Sequence, residues 1–445
     1  MNLSFINYNT NYRDLIVGSR TNIPLLNGRY VPAINFDNAA TTPPFVSVMK
    51  DILAFAPYYS SIHRGVGYKS RVSSALYDSS REVILNFIGG DLKKDTVIYV
   101  KNTTEGINKL AYRLCSSENK CVILSSDMEH HSNDLPWRDK YLVDYISIDK
   151  CGRLSLEDLD LKLTKYEGQV KLVTVTGASN VTGFINDVHK IAAIAHNHNA
   201  KLLVDGAQLV PHNAFNMKAT NSNENIDFLV FSAHKMYAPF GIGVLVGPRE
   251  VFEDGAPDYK GGGTVKLVTH DYISWEDPPQ KEEAGTPNII GVIALLSSIK
   301  TLNLIGIKNI EQREKSLTEY TLKELKRIPN ITIYGSADCD ENRLSIIPFN
   351  IKNIPHEITA NILSYEAGIS VRNGCFCAQP YIQKLLGVTN EELKMHINNP
   401  SLKKPGMVRI SYGLYNTYKE IDLLIHMLYK IVENKNYYLN KYNKM

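Results

Sequence analysis

The 445-residue sequence holds few cysteines: Cys115, Cys121, Cys151, Cys339, Cys375 and Cys377, of which only the last two lie close together. Such thin spacing excludes a disulfide-framed scaffold and predicts reduced thiols. A dominant charge sign is missing too. Lys and Arg number 49 against 46 Asp and Glu, a net charge of +3, too slight a bias to mark a nucleic-acid or anionic-membrane footprint. No apolar run approaches the length of about 18 residues that a membrane span needs, and MNLSFINYNTNYRDLIVGSR carries no basic leader ahead of an apolar stretch. The expectation is a cytoplasmic protein with no nucleic-acid and no membrane partner. Internal repeats and long low-complexity linkers are also absent. What remains, 44% hydrophobic and 21% charged residues, is ordinary globular composition, and small-molecule chemistry becomes the default.

Between about residues 95 and 247 short β-rich apolar runs alternate with helical patterns, the signature of a mostly parallel sheet covered by helices. The runs are 97–100, 122–124, 172–175, 202–204, 228–231 and 244–246, so six strands are a minimum. Ile107, Leu110, Ala111 and Leu114 recur at helical spacing, and Asp187 reads as the N-cap of a helix through Ile191 and Ile194. Thr286 before Pro287 reads as the N-cap and first position of an apolar helix that closes a large domain. A smaller α+β texture follows: a charged helix near 311–328, strands near 331–335 and 344–349, a helix near 356–366 and a last helix from about 418. That helix has a capping box, Thr417 with Glu420, and a stripe of Ile421, Leu424, Ile425, Leu428 and Ile431. The polar tail ENKNYYLNKYNKM is expected to fray.

The chemistry concentrates in KLLVDGAQ and DFLVFSAHKMYAPFGIGVLVGP. Asp205 sits just past one buried strand and Lys235 just past the next, so both side chains should emerge at the carboxyl edge of the sheet, where open α/β folds place ligands. An aldehyde cofactor such as pyridoxal 5'-phosphate needs that pair, a lysine for the imine and a carboxylate that keeps the pyridine nitrogen protonated. Taken singly, a surface lysine and a turn aspartate are equally good readings. Together, and with the blocks from FDNAATTPP through VRISYGLYNT in order, the chain resembles the class V aminotransferase family of pyridoxal phosphate enzymes. It is most similar to the cysteine desulfurase and selenocysteine lyase branch, with a Cys-Phe-Cys segment similar to molybdenum cofactor sulfurases. The resemblance implies the type I architecture: an α/β large domain, 35–305, with a mainly parallel seven-stranded sheet, and a small α+β domain from 1–34 and 306–445.

It also implies roles. Lys235 and Asp205 become the imine lysine and the partner of the ring nitrogen. Thr103 and Thr104, after a strand and at a helix start, offer hydroxyls and free N–H groups to an anion; as plain helix caps they would be commonplace, and the match of TTEGIN assigns them to the phosphate. Ser232 and His234 resemble its other ligands, and Thr286 the residue that reaches it from a neighbouring subunit, implying a homodimer with shared sites; His63, in the His-Arg-Gly block, is placed near the partner's site. In MEHHSN, two adjacent imidazoles make a poor metal site, and no metal is expected; His130 matches the histidine that stacks on the ring. Asn180 and Gln208 match residues that hydrogen-bond the phenolic oxygen. In VRNGCFCAQPY, Cys377 resembles the nucleophilic cysteine of desulfurases and Arg372 the arginine before it, while Gly368 and Gly374 suggest a bent, mobile backbone. Cys375 and Phe376 replace the two histidines of many desulfurases, which leaves Cys375 as relay, disulfide partner or packing residue. Arg409, in MVRISYG, resembles the arginine that grips the substrate carboxylate, and Asn180 and Arg372 are expected to bind substrate with it. The interval from Cys377 to Arg409 is long and reads as a lid or partner-docking insertion. Only 36 residues follow Arg409, so the further C-terminal domain of full molybdenum cofactor sulfurases is not expected.

The expected activity is conversion of L-cysteine to L-alanine with a persulfide on Cys377, delivered to a sulfur-acceptor protein. Alternatives that keep the cofactor are a selenocysteine lyase, another C–S lyase, an epimerase or an aminotransferase. The alternative without catalysis is a silent scaffold or sulfur-carrier partner, for which loss of Lys235 or the phosphate ligands would be expected.

Overall fold

The computed structural model describes residues 11–114, 121–335, 342–399 and 401–443; Cys115 and Cys339 lie outside them. A seven-stranded sheet runs in the spatial order Asp95–Val100, Gly243–Pro248, Phe228–Ser232, Lys201–Asp205, Val170–Thr176, Val122–Ser126, Leu142–Ile146. Only Gly243–Pro248 is antiparallel to its neighbours. All six expected strands are present. The seventh, Leu142–Ile146, is an edge strand whose LVDYI mixes exposed and half-buried positions, and so shows no continuous apolar run.

Strand alternation feeds two cores, one on each face. Tyr99, Leu124, Val173, Val204, Phe231 and Val244 pack on one side with the helix Ile289–Ile305. Ile98, Ile123, Leu172, Leu203, Val230 and Leu245 pack on the other against Ile107, Leu110 and Leu114 of the helix Thr103–Leu114. That helix lies close to the sheet because Gly106 leaves room for it: a Cβ there would stand 2.6 Å from Val230 Cγ2.

The apolar helix starts at Ile289, not at Thr286. Asn288 is its N-cap, accepting from the Gly291 amide, and this frees the Thr286–Pro287 pair to form the loop before it. Most of its side chains are buried in protein, and no single helix among the described residues is long and apolar enough to cross a membrane.

A second sheet, antiparallel throughout, has the order Ile331–Ile333, Ile346–Ile351, Met407–Ser411, Arg372–Gly374. The helices Ile307–Leu325, His356–Ala367 and Tyr418–Glu433 cover it, the last with the expected reciprocal capping box of Thr417 and Glu420. The tail does not fray as expected. Lys435–Tyr442 is a helix held by buried Tyr438 and Tyr442, aromatic anchors inside a segment whose overall composition is polar. Gly368 makes one of the expected bends: at φ 69° it caps His356–Ala367, where an added Cβ would stand 2.8 Å from Val31 Cγ2.

Candidate active site

Five strand ends converge at one sheet edge. Asn102–Thr104 follow Val100, His130 follows Ser126, Asn180 follows Thr176, Asp205 ends its own strand, and Lys235 ends a short turn after Ser232. With Gln208, Arg372, Phe376, Cys377 and Arg409 they line one cavity of about 220 Å³. The structure therefore brings together Thr103, Thr104, His130, Asn180, Asp205, Gln208, Ser232, His234, Lys235, Arg372, Cys377 and Arg409. Thr286 is outside this group. With His63 it lines a separate, wider cavity of about 810 Å³.

Lys235 is half-buried and its ammonium pKa falls to about 8, chiefly through desolvation; Asp205 opposes the fall and Arg409 adds to it. Asp205 is 4% exposed, accepts a hydrogen bond from the Ala207 amide at 2.9 Å, and has its pKa raised by burial against the pull of Ala207 and Lys235. The turn carrying the lysine is clamped from a distant segment. The His234 carbonyl accepts from the Thr42 amide at 3.0 Å, and Thr42 Oγ1 accepts from the Tyr237 amide at 2.7 Å.

At the N-terminus of Thr103–Leu114, hydroxyls gather in pairs. Thr103 Oγ1 and Ser232 Oγ are 2.8 Å apart, Thr104 Oγ1 and Ser132 Oγ 2.7 Å. Four hydroxyls at the positive end of a twelve-residue helix form an anion cradle. Ser132 went unrecognised in the sequence, since a serine two residues beyond His130 carries no signal of its own; here it also fixes the imidazole, its amide donating to His130 Nδ1 at 3.1 Å. Burial first, then Lys235 nearby, lowers the His130 pKa to about 3, so the ring is neutral and free to stack.

The opposite wall belongs to the second sheet and the cysteine loop. Arg409, 2% exposed, donates through Nη1 to the Asn180 carbonyl at 2.8 Å and through Nη2 to Asp37 Oδ1 at 3.0 Å, with Phe376 beneath its guanidinium at 4.9 Å. Asn180 Nδ2 donates to the Phe376 carbonyl at 2.8 Å, and the Cys377 carbonyl accepts from the His131 amide at 2.6 Å. Phe376 and Cys377 both have left-handed backbones, φ 50° and 54°. Two such non-glycine residues in succession are strained and are held here by those contacts. The bend expected at this loop is present, with a pinned backbone. Cys377 is exposed to the cavity, while Cys375 packs against the cluster of Met128, Phe184 and Tyr381.

The donor set fits a phosphorylated pyridine aldehyde. Gln208 Oε1 is buried without a hydrogen-bond partner while its Nε2 donates to the Ala39 carbonyl, and Arg409 Nε on the same cavity is also unpartnered. A hydroxyl cradle at one end, a buried carboxylate on the floor and an amine of lowered pKa cover phosphate, ring nitrogen and aldehyde.

The aminotransferase class-V family model matches residues 34–424. A probable cysteine desulfurase of Halalkalibacterium halodurans is 34% identical over 411 residues, 90% of this chain and 94% of the relative. A cysteine desulfurase of Wigglesworthia glossinidia brevipalpis is 34% identical over 428 residues, 93% and 96% of the two chains. Among solved structures, the apo cysteine desulfurase of Thermococcus onnurineus NA1 superposes with a TM-score of 0.80 at 31% identity, covering 90% of this chain and 95% of its own.

Proposed function

The chain belongs to the class V aminotransferase family, and from that membership and its cavity we infer that it is a cysteine desulfurase. The observation that carries this reading is a thiol, Cys377, on the same 220 Å³ cavity as Lys235, Asp205 and Arg409. The cofactor is pyridoxal 5'-phosphate, which when bound supplies an aldehyde for an amine and a ring that accepts the electron pair left by a departing proton.

The protein's own groups do the rest. Arg409 takes the α-carboxylate of L-cysteine with the donors its two neighbours leave free. The Lys235 amine, neutral in a large fraction near pH 8, removes the α-proton and later returns one to carbon. Asp205 holds a proton on the ring nitrogen, His130 covers the ring face, and the cradle of Thr103, Thr104, Ser132, Ser232 and His234 takes the phosphate. Cys377 Sγ attacks the substrate sulfur; the new S–S bond forms as the Cβ–S bond breaks, leaving a persulfide and alanine.

His63 and Thr286 on one wide cavity, away from the first, support a homodimer in which that face turns to a second copy's site. The two sheets support a division into 35–305 and 1–34 with 306–445, with the active cavity between them. A sulfur-acceptor protein completes the cycle. Mass spectrometry after incubation with L-cysteine tests the assignment: an added sulfur on Cys377 with stoichiometric alanine is expected. Alanine without the persulfide, or undiminished turnover in Cys377→Ala, would remove it.

A further inference from the structure

Asp37 had no place among the expected site residues, yet it sits between both arginines of the cavity. Its Oδ1 accepts from Arg409 Nη2 at 3.0 Å, and its Oδ2 lies 3.5 Å from Arg372 Nη1. Its backbone is fixed. Residue 37 bridges in parallel to Ser411, on the strand that carries Arg409. Asn38 beside it is fully buried and donates to the carbonyls of Asn35 and Ser411. The carboxylate is therefore anchored beside the strand that carries Arg409.

Charge then decides what the cluster accepts. Two guanidinium charges against one carboxylate leave a single positive charge, while Lys235 and Asp205 oppose each other deeper in the cavity. One incoming carboxylate neutralises the cluster. An amino acid with a second acidic group would meet Asp37 where Arg372, half-exposed, would otherwise receive it. We propose that Asp37 is a specificity-determining residue that, by occupying Arg372 and one edge of Arg409, tunes the site to amino acids with one acidic group and rejects those with two. This rests on the reading of Arg409 as the α-carboxylate site.

The test is calorimetric binding of L-alanine and L-aspartate to the cofactor-loaded enzyme, which needs no turnover. In Asp37→Asn the ratio of affinities should move toward aspartate by about tenfold or more, a change of about 1.4 kcal/mol. Asp37→Glu should keep the native ratio. Removing the charge that Asp37 balances, in the double variant Asp37→Asn with Arg372→Gln, should restore discrimination, a rescue that a purely structural role for Asp37 does not predict. An unchanged ratio in Asp37→Asn, or equal weakening of both ligands without rescue, overturns the proposal. Should Asp37→Asn not fold, Arg372→Gln alone decides: aspartate must lose more affinity than alanine, and equal losses overturn it. A native enzyme that makes no alanine from cysteine would instead defeat the desulfurase reading, leaving these binding ratios readable.

Discussion

Replacing Lys235 by methionine should stabilise the cofactor-free protein, and the gain should depend on pH in a stated way. The ammonium group falls from 10.5 to about 8 on folding chiefly because it leaves water; Asp205 and Cys377 pull the other way, and Arg409 adds to the fall. A base whose pKa drops on folding destabilises the native state wherever it must be protonated. That penalty is complete below about pH 8 and is relieved as pH rises toward 10.5. At roughly 1.4 kcal/mol per unit, the shift corresponds to about 3 kcal/mol at pH 7 and about 1.5 kcal/mol at pH 9.5. Urea unfolding of cofactor-free native protein and Lys235→Met at the two pH values measures both numbers. A methionine variant less stable than native at pH 7, or a gain that grows with pH, would refute the account of Lys235 as an amine held against its solvation preference.

The same lowered pKa predicts that uptake of pyridoxal phosphate by the cofactor-free enzyme quickens by about tenfold between pH 7 and 9 and then levels off; stopped-flow absorbance would follow it, and a rate still climbing beyond pH 10 would contradict it. Cys377→Ala should lose at least about a hundredfold in alanine formation from cysteine while keeping the cofactor's visible band. In Gly243→Ala the new Cβ would lie 2.8 Å from Asn102 Cα and 3.0 Å from the Phe231 carbonyl, both backbone, so the loop before Thr103 must shift; about 1–3 kcal/mol of stability and a weaker cofactor Kd should go with it, and an unchanged Kd would show the cradle to be more tolerant than argued. Leu424→Ala removes a fully buried side chain from the core of the small sheet and should cost about 2–5 kcal/mol in chemical unfolding, with the visible band at full occupancy retained in the folded fraction.

Interior strands such as Lys201–Asp205 and Phe228–Ser232 were legible because they are apolar on both faces, and the helix Tyr418–Glu433 because its cap and stripe are local patterns. The edge strand Leu142–Ile146 and the terminal helix Lys435–Tyr442 were not. One is half exposed, and the other depends on two tyrosines finding a distant surface. Thr286 misled for a related reason: Thr-Pro reads locally as a helix start, but the helix begins after Asn288, whose Nδ2 reaches the Phe240 and Gly241 carbonyls, a contact with a distant loop.

Residue type and order, read with the family resemblance, singled out the candidates for the chemistry, because the amine, carboxylate and thiol of Lys235, Asp205 and Cys377 stand in recognisable local blocks. Only the folded chain decided how those groups are tuned and held. Lys235 acquires its lowered pKa from burial, the Cys377 loop its shape from His131 and Asn180, and Arg409 its shared charge from Asp37, 372 residues away in sequence. Desolvation and long-range pairing have no local signature, so those properties appear only once distant segments meet at one sheet edge.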